Sequence, residues 1–143
     1  NVYAGQLALA LGNAGVQVDI FTRDHTDTES KITEIAPGVR VIHLPGGPTE
    51  TALDGLFPHL PEFSQALLEF QIETGLTYQA VHSHYWLSGW VGQQMATEWR
   101  APHILTFHTL SLIKMQSRAG ESEPATRQQV ATTCCNLQQL AAT

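Results

Sequence analysis

Basic side chains are scarce in this chain. Seven lysines and arginines stand against thirteen aspartates and glutamates among 143 residues, for a net charge of −6. No basic stripe is available to replace the counterions of a phosphate backbone, so nucleic acid is not an expected partner. Cysteine is nearly absent. The two present, Cys134 and Cys135, are neighbours and cannot staple distant segments together. A reducing, cytoplasmic setting is expected, with both thiols buried on a helix. No apolar run approaches the roughly 20 residues that a membrane-spanning helix needs. No charged-then-apolar leader opens the chain, so no signal peptide is expected. Internal repeats and low-complexity tracts are missing as well. What is there is 43% hydrophobic and 14% charged. That is the balance of a globular domain able to bury about two-thirds of its unfolded surface.

Tyr3, Leu7, Ala10, Leu11 and Ala14 recur at helical spacing, and Gly15 supplies a stop. Val16 to Phe21 alternates as a strand does. Polar Thr22 to Pro37 reads as a loop. Val39 to Leu44 is a second strand, closed by the turn Pro45-Gly46-Gly47-Pro48. Leu60, Phe63, Leu67, Leu68 and Ile72 form another helical stripe. Gln79 to Ser83 follows as a strand, and Ser88 to Trp99 as a helix with Ser88 as its N-cap. Pro102 introduces a strand from His103 to Phe107. A loop carrying Lys114 and Arg118 leads to Pro124, which suits the first turn of a last helix ending near Gln139. Leu140 to Thr143 begins one more strand.

Strands alternating with helices of this length predict an α/β fold: a Rossmann-like parallel sheet with helices on both faces. The chain opens inside a helix, with no strand and no glycine-rich turn ahead of it. In such a fold that first strand is normally central. The expectation is therefore one domain, 1–143, truncated at both ends.

Chemistry concentrates in Val81-His82-Ser83-His84-Tyr85-Trp86-Leu87-Ser88-Gly89-Trp90, where a short apolar run ends in polar and aromatic side chains just before a helix. Open α/β sheets bind ligands at this kind of junction. His82 and His84, two apart, share one side of a strand end. A metal would need a third ligand; His103 and His108 are the candidates, but no carboxylate completes a recognised pattern, and no metal site is expected. Ser88 resembles a hydrolase nucleophile by position only, since Trp86 stands where the elbow glycine belongs. His108 and Thr109 end the next strand and repeat the placement of His84 and Tyr85. Lys114, Arg118 and Arg127 bring three of the seven basic residues into fourteen positions, enough to gather one small anion.

Four segments together resemble the opening domain of the retaining family-4 glycosyltransferases. They are Asn1-Val2-Tyr3 through Leu11 with Gly15 to Arg23; Pro37 to Pro48; His82-Ser83-His84-Tyr85-Trp86-Leu87-Ser88-Gly89; and Thr106-Phe107-His108-Thr109-Leu110. The likeness covers nearly the whole chain and falls nearest the inositol-phosphate and bacterial sucrose-phosphate groups. It implies the N-terminal, acceptor-side half of a GT-B fold, with the nucleotide-sugar donor held by a C-terminal domain outside this chain. It implies no cofactor and no metal; a nucleotide sugar, UDP-linked, is a substrate. The partners are small sugars and the absent donor domain, and the fragment alone is expected to be inactive.

Roles carry over where residues match. The resemblance makes His108 the residue that lies against the transferred sugar. It makes Asn1, Tyr85, Thr109 and Arg127 the acceptor-binding set, with His84 and Lys114 as possible additions. Two departures stand out. Asp54 occupies the place of a phosphate-binding lysine after the Gly-Pro turn, and an acidic group there repels a phosphate. Ala131 replaces a glutamate in the last helix. The acceptor is accordingly left open among a small sugar, a sugar phosphate and an inositol phosphate. Two rival readings come from other classes: a non-catalytic ligand-binding Rossmann-like domain, and a metal-dependent hydrolase using His82, His84 and His108.

Overall fold

The computed structural model describes residues 2–24 and 31–107, apart from the Asp54 side chain. The chain divides between Thr77 and Tyr78 into two compact units. In the first, helix α1 spans Val2–Asn13 and is followed by strands β1 (Val18–Arg23), β2 (Ile32–Ala36) and β3 (Val39–Leu44). Two single turns of 3₁₀ helix, Leu53–Gly55 and Phe57–His59, lead into α2, Leu60–Thr74. The second unit contains β4 (Val81–His84), α3 (Trp86–Trp99) and β5 (His103–Thr106).

Strand order in the first unit is β1-β3-β2. β1 runs parallel to β3, paired from Val18↔Val39 to Arg23↔Leu44. As the middle strand, β3 is covered best: Val39 and Ile42 are fully buried and Leu44 nearly so. Each such side chain contributes about 1.5–3 kcal/mol by leaving water. Phe21 on β1 meets Phe70 on α2 edge-to-face, with ring centroids 5.5 Å apart. The registered pair Asp19↔Arg40 is a two-pronged ion pair, Nε to Oδ1 at 2.8 Å and Nη2 to Oδ2 at 2.7 Å. Arg40 is over a third exposed, so the pair contributes about 1 kcal/mol at most.

The α/β class is the expected one, but the sheet is not wholly parallel. β2 lies inside the segment that reads as a loop and pairs antiparallel with β3, with a register shift between Glu34 and Ala36. Its residues are mostly exposed, Ile32 and Ile35 included. An edge strand without a buried face shows no alternation, which is why the pattern does not reveal it. The usable signal is Pro37-Gly38: proline followed by a glycine at φ 73° is the pattern of a type II turn. Glu34 Oε1 accepts the Gly38 N–H at 3.2 Å and closes that turn.

In the second unit β4 and β5 are parallel neighbours, paired Val81↔His103 through His84↔Thr106. α3 buries Leu87, Val91, Met95 and Ala96 along one stripe, with Gly89 and Gly92 between them. The glycines let the helix approach closely. A Cβ on Gly89 would stand 3.0 Å from the Leu105 side chain, and one on Gly92 would run into the Ser83 hydroxyl. Tyr78 and Trp99 rings pack at 4.6 Å where the helix ends. Among the described residues no helix is long and apolar enough to cross a membrane.

Candidate functional site

The expected strand-to-helix junction exists, and it is built from Tyr85. β4 ends at His84, and the Tyr85 backbone turns at φ 77°, ψ 162° before α3 begins at Trp86. A bulky side chain rarely occupies that region, and holding it there costs about 1–3 kcal/mol. The surrounding hydrogen bonds define the turn. The Tyr85 N–H donates to the Thr106 carbonyl at 3.1 Å, tying the junction to the end of β5. The Tyr85 carbonyl accepts the Gly89 N–H at 2.9 Å, the first bond of the helix. Tyr85 is thus the N-cap residue of α3, one turn of chain earlier than the expected Ser88.

Ser88 lies within the first turn instead. Its hydroxyl donates to the His84 carbonyl and lies 3.1 Å from the Tyr85 carbonyl. The His84 N–H in turn donates to Ser88 Oγ at 3.1 Å. The Tyr85 side chain makes no capping bond to the first turn of α3, and no acidic residue occupies that turn. The partial positive charge of a helix N-terminus lies at this place.

Two imidazoles stand beside the junction. The His82 and His84 rings share one side, as their spacing predicts, and stack with centroids 4.4 Å apart and planes 31° from parallel. His82 Nε2 is 2.8 Å from the Thr106 hydroxyl, so the strand-end threonine orients the exposed imidazole. Among the described residues no group of three or more His, Cys, Asp or Glu side chains is placed to hold a metal ion.

Beneath this surface, His103 Nε2 lies 3.0 Å from the buried Ser83 hydroxyl. Burial, and then the positive charge of His82, hold the His103 pKa below its ordinary value. His103 therefore stays neutral and serves the packing of β4, β5 and α3.

Of the residues singled out in the sequence, His84 and Tyr85 are brought together at the end of β4. Asn1, His108, Thr109, Lys114, Arg118 and Arg127 lie outside the described residues, as do the last helix, Ala131 and both cysteines. Thr106 escapes sequence reasoning as a partner of His82, and the part Ser88 plays in the turn does too. Thr106 takes part through a cross-strand partner, and Ser88 through a turn whose geometry no spacing rule encodes.

In the first unit the loop after β3 is held from two sides. The Arg23 guanidinium, at the end of β1, donates to the carbonyls of Pro48 at 2.7 Å and Thr51 at 3.2 Å. The Glu62 carboxylate accepts the Gly47 N–H at 2.9 Å.

A polar cluster at the carboxyl ends of parallel strands, beside a helix N-terminus, is the ligand-binding architecture of α/β proteins. The chain belongs to the glycosyl transferase 4-like domain family, whose model matches residues 1–138. It is 42% identical over 125 residues to a D-inositol 3-phosphate glycosyltransferase of Corynebacterium efficiens, covering 87% of this chain and 30% of that protein. A protein of the same name from Corynebacterium jeikeium is 40% identical over 130 residues, covering 89% of this chain and 31% of that one. Sucrose-phosphate synthase from Thermosynechococcus elongatus superposes with a TM-score of 0.79 at 34% identity, over 90% of this chain and 32% of that structure. The chain thus spans about a third of the length of the relatives it matches.

Proposed function

We propose that this chain is the acceptor-side domain of a retaining glycosyltransferase. The full protein moves a sugar from a nucleotide-sugar donor, UDP-linked, to a small sugar, sugar-phosphate or inositol-phosphate acceptor. The observation that carries the reading is the placement of Tyr85, beside the His82–His84 pair, as the N-cap residue of α3 in a chain of this family. A phenol, two imidazoles and helix N–H groups supply the hydrogen bonds that a hydroxylated or anionic acceptor needs. In this reading Asn1, Thr109 and Arg127 complete the acceptor set, with Lys114 as a further cation. His108 lies against the transferred sugar. No metal or other cofactor enters; the leaving diphosphate is neutralised by groups of the donor-binding domain.

The test uses the full-length protein with a panel of UDP-sugars and of free sugars, sugar phosphates and inositol phosphates. Product formation with the anomeric configuration kept, read by NMR, is expected. His108→Ala should lower transfer by about 100-fold, the scale of losing one electrostatic contact to the transition state. Near-normal turnover removes His108 from the role. Binding of acceptors without any transfer establishes a non-catalytic ligand-binding domain instead.

A further inference from the structure

The backbone at Tyr85 is held where a tyrosine does not rest by itself, so some group must hold it there. Two strand-end bonds are generic, since any residue at this position can offer its N–H to the Thr106 carbonyl and its carbonyl to the Gly89 N–H. The specific group is Ser88. Its hydroxyl bridges the two peptide units that flank the turn, donating to the His84 carbonyl, lying 3.1 Å from the Tyr85 carbonyl and accepting the His84 N–H at 3.1 Å. A serine at the usual N-cap would spend its oxygen on the first-turn N–H groups. Ser88 bonds backward onto the strand end, and the N-cap side chain, Tyr85, makes no capping bond.

We infer that Ser88 is a positioning residue for the acceptor: it locks the His84–Tyr85 turn and so sets where the Tyr85 phenol is presented. The inference rests on the proposed function above for its consequence in turnover, but not for its geometry. Without the hydroxyl, Tyr85 relaxes toward negative φ, and the phenol moves with the backbone that carries it. Because Ser88 is itself exposed and lies off the packed stripe of α3, its loss should spare the fold.

The test compares Ser88→Ala, Ser88→Thr, Tyr85→Phe and the double variant Ser88→Ala/Tyr85→Phe in the full-length protein. Ser88→Ala should raise the acceptor KM about 10-fold with kcat changed less than about 2-fold, the pattern of lost uniform binding. Ser88→Thr, which keeps the hydroxyl, should recover most of that loss. If Ser88 acts through the phenol, adding Ser88→Ala to Tyr85→Phe should raise KM less than about 2-fold further. An unchanged KM in Ser88→Ala, an effect fully additive with Tyr85→Phe, or a lowered melting temperature as the sole change overturns the inference. If the parent protein transfers no sugar, the proposed function fails while the inference is still decided by a crystal structure of Ser88→Ala. Tyr85 relaxed to negative φ supports it, and Tyr85 retained at positive φ overturns it.

Discussion

His103 Nε2 and Ser83 Oγ, 3.0 Å apart, join the two strands of the second unit across their buried face. Desolvation and the charge of His82 keep this imidazole neutral. Its folded pKa lies below the unfolded value of about 6.5. As pH falls through that value, the unfolded chain takes up a proton that the folded chain refuses, so stability is lost on acidification. The loss levels off only below the folded pKa. Thermal melts of the protein between about pH 7.5 and pH 5 should show this fall, and His103→Gln should flatten it. Equal pH dependence in the two proteins refutes the assignment.

Gly92→Ala and Gly5→Ala should have opposite effects. Both glycines lie in helices, where alanine is intrinsically favoured by about 1 kcal/mol. A methyl on Gly5 meets nothing within 4 Å among the described residues, and a gain of about 0.5–1 kcal/mol is expected. A methyl on Gly92 strikes Ser83 Oγ and lies 2.7 Å from His103 Nε2. Neither neighbour can retreat without breaking their shared bond, and overpacking of this kind costs about 1–3 kcal/mol. The clash wins over the propensity. Urea midpoints at constant slope decide the matter, and a stabilised Gly92→Ala contradicts the close approach of α3 to β4.

Arg23 fixes the segment after β3 through several main-chain carbonyls at once. Arg23→Ala should cost about 1–2 kcal/mol, the lower part of the range for hydrogen bonds to a charged group, because part of the contact is exposed to water. Hydrogen exchange should speed up at Gly47 and Thr51, whose N–H groups are bonded to Glu62 and to the Pro48 carbonyl in the intact loop. Arg23→Lys should recover little, since an ammonium cannot reach separated carbonyls with a planar fork. Unaltered exchange in Arg23→Ala means that the loop is held without it.

Several elements are legible in the sequence because their physics is local. The β3 strand is legible at Val39 to Leu44, where it lies, since Val39, Val41, Ile42 and Leu44 make a short apolar, β-branched-rich segment closed by the Pro45-Gly46-Gly47-Pro48 turn. α2 is read from its stripe, and the stop of α1 from Gly15, at φ 86°. β2 is not legible because its pairing with β3 leaves its side chains facing water. The start of α3 is missed for another reason. Serine before an apolar helical pattern signals an N-cap, but here Tyr85 takes that place with an unfavourable backbone, held by bonds to Ser88 and to the end of β5.

By itself, the sequence determined the α/β class and the shared side of His82 and His84, and its motifs carried the resemblance to the family. The class and the shared side follow from periodicity and short-range spacing, which act between residues near in the chain, whereas the family rests on the likeness of whole motifs. Only the tertiary structure decided that Tyr85 sits at positive φ, that Thr106 bonds His82, and that His103 is neutral against Ser83. Each of these depends on parallel pairing between β4 and β5, residues about twenty apart brought within 3 Å. Hydrogen bonding and desolvation act over such distances in space, and no pattern along the chain records them.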